Sequence, residues 1–299
     1  MLVTNKPSPR RVIRHFGVSV SALLVWDLLI AAAFQSWGWR WVASEHIPLA
    51  LYGSVIGIVV AFRNNAAYSR WWEARTILGQ ITNSSRTLAR QVCGSFCVSP
   101  DATTLCQAIV YHQIAFVHAL CQQLRGLDPI GEIGRLLSPA QLSPLRVERN
   151  VPLALQRNIG SMLRLARQRD WIDSREWQSI DRTLSELTAA QGGAERIKTT
   201  PMPKQYDFFV MAFVHAYCLL LPVGLVSRLG WFTPLGSTFI GLMFLAMDRI
   251  GRSLEVPFDN DVYDVPLTAI ATTVEINLRQ MLEESQVPEA ASPVGGVLW

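Results

Sequence analysis

The sequence predicts an all-α integral membrane protein, and three observations support this fold class. Half of the 299 residues are hydrophobic, only 17% are charged, and the mean hydropathy is +0.22, which is too apolar for an ordinary soluble chain. Four apolar runs have the length of a membrane-spanning helix. The long stretch between the second and third runs shows helical periodicity without strand-like alternation. We therefore predict four transmembrane helices and a large cytosolic helical bundle.

The first apolar run spans residues 18–34 and follows a basic N-terminal segment. This order also describes a signal peptide, for which Ala31 to Ala33 would be the cleavage site. Because the run carries Trp26 and Asp27 at its centre and is long for a signal peptide, we favour a retained helix. Asp27 then lies at membrane depth, where a carboxyl group is either functional or, as we favour, a hydrogen-bond partner of a neighbouring helix. The basic residues are Lys6, Arg10, Arg11 and Arg14.

The second apolar run, residues 47–62, leads into residues 63–75, which contain no Gly or Pro. We therefore predict one helix that continues from the membrane into water. Arginines follow both this run and the fourth run, so the positive-inside rule places both termini in the cytosol. A cluster of tryptophans, typical of the lipid headgroup level, lies between the first two runs. These tryptophans are Trp37, Trp39 and Trp41.

Between the second and third apolar runs, four polar residues stand where helix N-caps are expected. They are Ser99, Ser138, Asn150 and Ser174, and Gly192-Gly193 would end the last of these helices.

The predicted elements divide the chain into five segments. These are 1–62 (N-terminal cytosolic segment and transmembrane helices one and two), 63–204 (cytosolic helical region), 205–250 (transmembrane helices three and four), 251–285 (cytosolic C-terminal loop and helix) and 286–299 (a tail predicted to be disordered because it is rich in Pro, Gly and Ala).

Three aspartates crowd a short loop before the last helix, which is expected to begin near Pro266. Asp259, Asp261 and Asp264 could supply oxygen ligands to a cation, but the central Gly and distal Glu of an EF-hand are missing. Capping of the last helix by Asp264 is the simpler interpretation. A vestigial cation site is the alternative. No metal is expected to be required, and no cofactor is expected.

The sequence lacks the motifs of the common enzyme classes, since it has no Walker loop, GxSxG elbow, HExxH pair or dinucleotide fingerprint. Five cysteines form no CxxC pair and mostly fall in predicted cytosolic segments, where thiols stay reduced, so no disulfide framework is implied. A net charge of +4 without a compact basic patch argues against nucleic-acid binding. Three classes of function remain. They are a pore, a non-conducting scaffold, and a membrane-surface enzyme using His112, His118 and Asp101.

The second helix has two faces suited to different tasks. Ser54, Ile58 and Phe62 lie at i, i+4 and i+8 and so share one face. Gly53 and Gly57 form a small-residue face for close helix contact. Two such faces favour an oligomer in which several copies turn the first face towards a common axis. The alternative is an ordinary buried helix of a bundle.

The same helix carries residues that resemble a known family. Phe62-Arg63-Asn64, followed by Tyr68-Ser69-Arg70-Trp71-Trp72-Glu73-Ala74-Arg75, resembles the bestrophin channels, especially their bacterial branch. Later elements agree in order, namely Gly193-Ala194-Glu195-Arg196-Ile197 before Thr200-Pro201, and Pro257-Phe258 ahead of Asp261 and Asp264. The resemblance covers about residues 10–284.

The resemblance implies a homopentamer around one central pore in the bacterial inner membrane, with the second helix lining a narrow hydrophobic neck. The neck positions correspond to Ser54, Ile58 and Phe62. The family usually carries an apolar residue where Ser54 stands, so the outermost ring is expected to be wetter here. A second constriction at the cytosolic exit corresponds to Ile172, with Ile180 as the alternate.

The resemblance also bears on gating and selectivity. Animal members have a denser acidic run after Pro-Phe, whereas Asn260, Val262 and Tyr263 interrupt it here, so we expect no Ca²⁺ requirement. Animal members pass chloride and bacterial ones favour monovalent cations, so the bacterial-type sequence favours cations such as Na⁺. An anion channel of the same architecture is the alternative. The expected partners are further copies of the chain, the lipid bilayer and monovalent ions, but no nucleic acid.

Overall fold

The computed structural model describes Met1 and residues 9–96 and 99–299. These residues form ten α-helices, and their only β pairing is an isolated bridge between Val294 and Val297. The predicted all-α class is therefore confirmed. The helices are α1 (Pro9–Gln35), α2 (Leu49–Ser95), α3 (Pro100–Leu124), α4 (Pro129–Ile133), α5 (Pro139–Leu145), α6 (Val151–Gln168), α7 (Ser174–Thr199), α8 (Lys204–Leu229), α9 (Thr233–Glu255) and α10 (Leu267–Met281), with short 3-10 turns at Arg40–Val42 and Gly230–Phe232.

The chain folds into two compact units, which we name the core unit and the span unit. Among the described residues, the core unit comprises Met1 and those within Trp71–Thr200 and Pro257–Trp299, and the span unit comprises those within 9–70 and Pro201–Val256. The helix α2 contributes to both units, because it is continuous from Leu49 to Ser95. Its 47 residues extend for about 70 Å, which confirms that the second apolar run continues as one helix.

Four helical stretches of the described residues are long and apolar enough to cross a membrane. The stretch Pro100–Leu124 differs from the others, because 72% of its apolar window is buried inside the protein. The span-unit helices instead expose large apolar side chains, for example Val18, Phe209 and Phe239, as expected of surfaces that meet lipid. The other three stretches are Gly17–Gln35, Leu49–Ser95 and Lys204–Glu255, the last of which contains α8 and α9.

The core unit is built around α3, which packs against α6 and α10. The helix α6 turns an apolar stripe towards this core, since Leu155, Ile159 and Ala166 are fully buried. Burying one such aliphatic side chain contributes about 1.5–3 kcal/mol for the larger residues. The stripe is therefore a packing surface.

The helix-start signals in the core unit are largely confirmed. Ser99 caps α3, because its Oγ accepts a hydrogen bond from the N–H of Ala102 at 3.2 Å. Asn150 caps α6 in the same way, through the N–H of Leu153 at 3.0 Å. The helix α5 begins directly after Ser138. In each case a proline follows the cap, where its missing N–H has no partner to lose.

Both predicted ends of α7 are wrong. Asp173, and not Ser174, is the cap, because its Oδ1 accepts from the N–H groups of Arg175 and Glu176, each at 2.7 Å. The Glu176 carboxylate accepts from the N–H of Asp173 at 2.8 Å, which completes a capping box. The helix also continues through Gly192-Gly193, because packing outweighs the low helix propensity of glycine.

The tail predicted to be disordered makes defined contacts at its far end. The backbone N–H of Ala269 in α10 donates to the carbonyl oxygen of Trp299 at 2.7 Å, and Val294 pairs with Val297. The side chain of Val297 is buried. The prediction of disorder is therefore corrected for these last residues, because their backbone and apolar groups find partners that composition does not reveal.

Candidate functional site

One face of α2 packs inside the span unit. Val60 and Arg63 are almost completely buried, and Ile56 packs against the same cluster. A Cβ atom on Gly53 would lie 2.5 Å from the Tyr217 hydroxyl of α8, whereas one on Gly57 would meet nothing within 4 Å. Within the chain, the predicted small-residue face is thus used at Gly53 and left open at Gly57.

The opposite face of α2 is exposed and carries all three predicted neck residues. Ile58 and Phe62 each lie two residues from Val60, which is about 200° around the helix axis. Their side chains are 56% and 64% exposed. Ser54 is also exposed, and its Oγ donates a hydrogen bond to the carbonyl oxygen of Ala50 at 2.7 Å. The three side chains therefore lie on one outward surface of the chain.

A charged network fixes the rotation of α2 immediately after this face. The Arg63 guanidinium binds the Asp248 carboxylate and carbonyl oxygen of α9, both at 2.9 Å, and also pairs with Asp207 of α8. Asp248 in turn pairs with Arg252. Arg63 and Asp248 are 1% and 0% exposed. Two arginines and two aspartates balance in charge, as buried ionic groups require.

Two further polar contacts hold α2 against α9. The Asn64 side-chain amide donates to the carbonyl oxygen of Met247 at 2.9 Å, and Arg70 Nε donates to that of Glu255 at 2.8 Å. Gly251 permits this close approach, because a Cβ there would lie 2.0 Å from Asn64 Oδ1 and 3.1 Å from Arg63 Nη1. Because Arg63 directly follows Phe62, these contacts direct the Phe62 side chain away from the span unit.

Replacing Gly251 by alanine is therefore expected to destabilise the protein by about 1–3 kcal/mol, as overpacking typically does. The clash outweighs the gain in helix propensity of about 1 kcal/mol that alanine brings. The measurement is the thermal unfolding midpoint in detergent. The matched control is Gly94→Ala in α2, where a Cβ meets nothing within 4 Å, and which is expected to leave the midpoint unchanged or raised. Equal midpoints for the two variants would contradict the packing argument.

The two residues predicted for a cytosolic exit constriction lie elsewhere. Ile172 and Ile180 are 2% and 1% exposed, and both belong to the hydrophobic cluster of the core unit. A side chain buried in its own subunit cannot line an opening shared with other subunits. The assignment is therefore corrected, because sequence position alone did not distinguish a core isoleucine from an exposed one.

The three aspartates of the acidic loop have separate partners. Asp259 binds Lys198 Nζ at 2.6 Å, and Asp261 Oδ1 accepts from the N–H of Val262 at 2.7 Å. Asp264 accepts from the N–H of Asp261 at 2.9 Å and does not cap α10, so that prediction is wrong. Burial, followed by the nearby Asp261 and Asp259 charges, raises the Asp264 pKa to about 6. In the described part of the chain, no three His, Cys, Asp or Glu side chains converge as metal ligands.

The residues proposed for an enzyme do not meet. Asp101, His112 and His118 all lie on α3, where the first and last are about 25 Å apart along the axis. His118 instead binds Glu275 at 2.8 Å, and Arg135 binds the same carboxylate at 2.7 and 2.8 Å. Burial alone would raise the Glu275 pKa, but the hydrogen bonds from His118 and Arg135 hold it at about 2. This cluster is a structural ion-pair network.

Asp27 also has a structural role within the span unit. It is 1% exposed, and the hydroxyl groups of Ser237 and Thr238 in α9 donate to its carboxylate at 3.1 and 2.7 Å. The favoured interpretation, a hydrogen bond between helices, is confirmed.

The Arg63 network was not predicted from the sequence. Its signal was the pair of acidic residues, Asp207 and Asp248, at the ends of two apolar runs opposite an arginine at the end of a third.

Comparisons with known proteins agree with this arrangement. The profile of the family described as bacterial/fungal bestrophin protein matches residues 7–280. The voltage-dependent anion channel-forming protein mll4386 of Mesorhizobium japonicum is 34% identical over 238 residues, which are 80% of this chain and 75% of that protein. YneE of Escherichia coli, also described as voltage-dependent anion channel-forming, is 30% identical over 292 residues, or 97% of this chain and 91% of that protein.

A solved structure shares the fold as well. A bestrophin homolog from Klebsiella pneumoniae superposes with a TM-score of 0.84 at 30% identity, covering 89% of this chain and 98% of that one. The class is thus a membrane ion channel and not an enzyme. The chain belongs to the bestrophin family, in its bacterial and fungal branch, so the resemblance inferred from the α2 motif is confirmed.

Proposed function

We propose that five copies of the chain assemble in a bacterial inner membrane around one pore whose neck is formed by Ser54, Ile58 and Phe62 of α2. The spans are α1, α2, α8 and α9, and both termini lie in the cytosol. The observation that carries this proposal is the exposed face of α2. Its apolar side chains point directly away from the packed face, and the Arg63 network holds them there.

A neck of this kind acts through water. Rings of Ile58 and Phe62 offer no hydrogen-bonding groups to an ion or to its hydration shell, so a narrow passage between them empties of water and blocks conduction. Small rotations of the side chains widen the ring and admit water again. The acidic loop takes no part in this process, since its aspartates have protein partners, and we propose gating without Ca²⁺.

The outermost ring supports conduction of monovalent cations such as Na⁺. The Ser54 hydroxyl donates a hydrogen bond to the Ala50 carbonyl oxygen. Its O–H group therefore points towards the helix backbone, and the oxygen presents its lone pairs to the neck. A ring of such oxygens is attractive to cations. An anion channel is the second candidate, because the relatives from Mesorhizobium japonicum and Escherichia coli are described as anion channel-forming.

The test is ion flux and reversal potential in liposomes that contain the purified protein. Flux above that of empty vesicles supports a channel, and a reversal potential on the cation side of a NaCl gradient supports Na⁺ conduction. A reversal potential on the anion side would favour the second candidate. Flux no greater than that of empty vesicles would overturn the proposal in favour of a non-conducting scaffold.

Replacing Ser54 by alanine is expected to reduce the preference for cations, because it removes the outward oxygen without changing the size of the ring. The expected change is a fewfold drop in the cation-to-anion permeability ratio, which equals less than about 1.4 kcal/mol. The matched control is Ser36→Ala, a serine beyond the end of α1 and outside the proposed neck. An unchanged ratio for Ser54→Ala would remove this ring from the account of selectivity.

A further inference from the structure

Two thiols of the core unit lie close together where α2 ends and α3 begins. Cys93 is in the last turn of α2, Cys106 is in the second turn of α3, and their Sγ atoms are 3.6 Å apart. The sulfur atoms of the other two described cysteines, Cys121 and Cys218, each lie near a backbone oxygen. Cys121 Sγ lies 3.6 Å from the Leu267 carbonyl oxygen, and Cys218 Sγ lies 3.8 Å from that of Gly241. Cys97 lies outside the described residues.

The two thiols differ in access. Cys93 is exposed, whereas Cys106 is only 8% exposed. Both line a cavity of about 210 Å³, large enough to admit a small oxidant. Met281 and Glu283 also line this cavity. A reagent arriving from solvent therefore has readier access to Cys93 than to Cys106.

We propose that Cys93 and Cys106 are a redox modification site, which a hydroperoxide converts to a disulfide and a thiol reductant restores. The Cys93 thiolate attacks a peroxide oxygen, the O–O bond breaks, and a sulfenic acid and water form. Cys106 then attacks the Cys93 sulfur, the S–O bond breaks, and a second water leaves. Two thiols are oxidised by two electrons, and one hydrogen peroxide is reduced to two waters.

The geometry suits a reversible bond. The sulfur atoms have to approach by about 1.5 Å to reach the S–S bond length, and both residues lie near helix ends, where the backbone adjusts most easily. The bond would tie the end of the long helix α2 to α3. The proposed topology places this site in the cytosol, where stable disulfides are rare and close thiol pairs form them transiently.

The experiment counts free thiols in the full-length protein before and after treatment with hydrogen peroxide. The treated protein is then denatured so that buried thiols also react with N-ethylmaleimide. Intact-mass measurement is expected to show five labels without peroxide and three after it, because the chain has five cysteines. Reduction is expected to restore five. Trypsin leaves residues 91–125 as one peptide, so sequential alkylation before and after reduction, followed by fragmentation, assigns the oxidised pair.

Serine variants separate the two roles. In Cys106→Ser the Cys93 sulfenic acid has no resolving thiol and is expected to react with dimedone, whereas Cys93→Ser is expected to show no dimedone label at Cys106. The controls are Cys97→Ser and Cys121→Ser, which are each expected to fall from four labels to two. Elution of every variant as the wild-type oligomer shows that it has folded.

Three results would overturn the proposal. The first is a label count that stays at five in the folded wild-type protein. The second is a loss of thiols that Cys97→Ser abolishes, which would assign the bond to Cys97. The third is a loss of thiols that persists in the double variant Cys93→Ser/Cys106→Ser. None of these outcomes depends on ion conduction, so the inference stands or falls separately from the proposed channel.

Discussion

Replacing Ile58 and Phe62 together by alanine is expected to raise ion flux through reconstituted protein at least about tenfold, which equals a barrier lowered by about 1.4 kcal/mol. The physical reason is that both rings become wider, so water remains between the subunits and an ion keeps its hydration shell as it passes. The two single variants are expected to give smaller increases in the same direction. Flux from liposomes of equal protein content is the measurement.

The matched control for this prediction is Phe239→Ala in α9. Phe239 is 63% exposed, against 64% for Phe62, so both substitutions remove the same exposed side chain from a span-unit helix. Only Phe62 lies on the proposed neck face, and flux through Phe239→Ala is expected to equal that of the wild-type protein. If Phe62→Ala and Phe239→Ala give the same flux, the Phe62 face meets lipid or another helix, and the proposed neck is contradicted.

The parts of the fold that sequence predicted are those governed by local physics. The apolar run of α2 and the absence of breakers after Phe62 are properties of neighbouring residues, and so is the pairing of Ser99 with the following proline. Periodicity then places Ser54, Ile58 and Phe62 on one face, because helical spacing requires nothing beyond the helix itself. These features follow from the sequence alone.

The parts that sequence did not predict depend on groups distant along the chain. Ile172 and Ile180 are both aliphatic residues at helix starts or near them, and only packing of the core unit decides that both are buried. Asp264 is an exception with a local cause. It stands at an expected capping position, but its carboxylate accepts from the N–H of Asp261, three residues earlier, instead of from α10. Periodicity also does not decide what an exposed apolar face contacts, since such a face can meet lipid, pack against a partner helix or line a hydrophobic pore.

Replacing Arg63 by glutamine is expected to destabilise the protein by about 3–5 kcal/mol, the usual effect of removing one member of a buried ion pair. The substitution leaves Asp248, which is 0% exposed, with Arg252 as its remaining cation, and it deprives Asp207 of its partner. The buried Asp248 carboxylate cannot recover the lost interaction from water inside the span unit. The measurement is the free energy of unfolding in detergent, followed by loss of helical signal.

The control for charge alone is Arg249→Gln. Arg249 is an exposed neighbour of Asp248 on α9, and its replacement changes the net charge by the same amount as Arg63→Gln. This variant is expected to remain within about 0.5 kcal/mol of the wild-type protein. The double variant Arg63→Gln/Asp207→Asn also removes the aspartate that Arg63→Gln deprives of its arginine, and it is expected to be more stable than Arg63→Gln, which is the signature of direct coupling. Equal destabilisation by Arg63→Gln and Arg249→Gln would contradict the network.

The same pair of variants tests whether this network holds the proposed neck face in place, because Arg63 directly follows Phe62. Arg63→Gln is expected to alter ion flux, whereas Arg249→Gln is not.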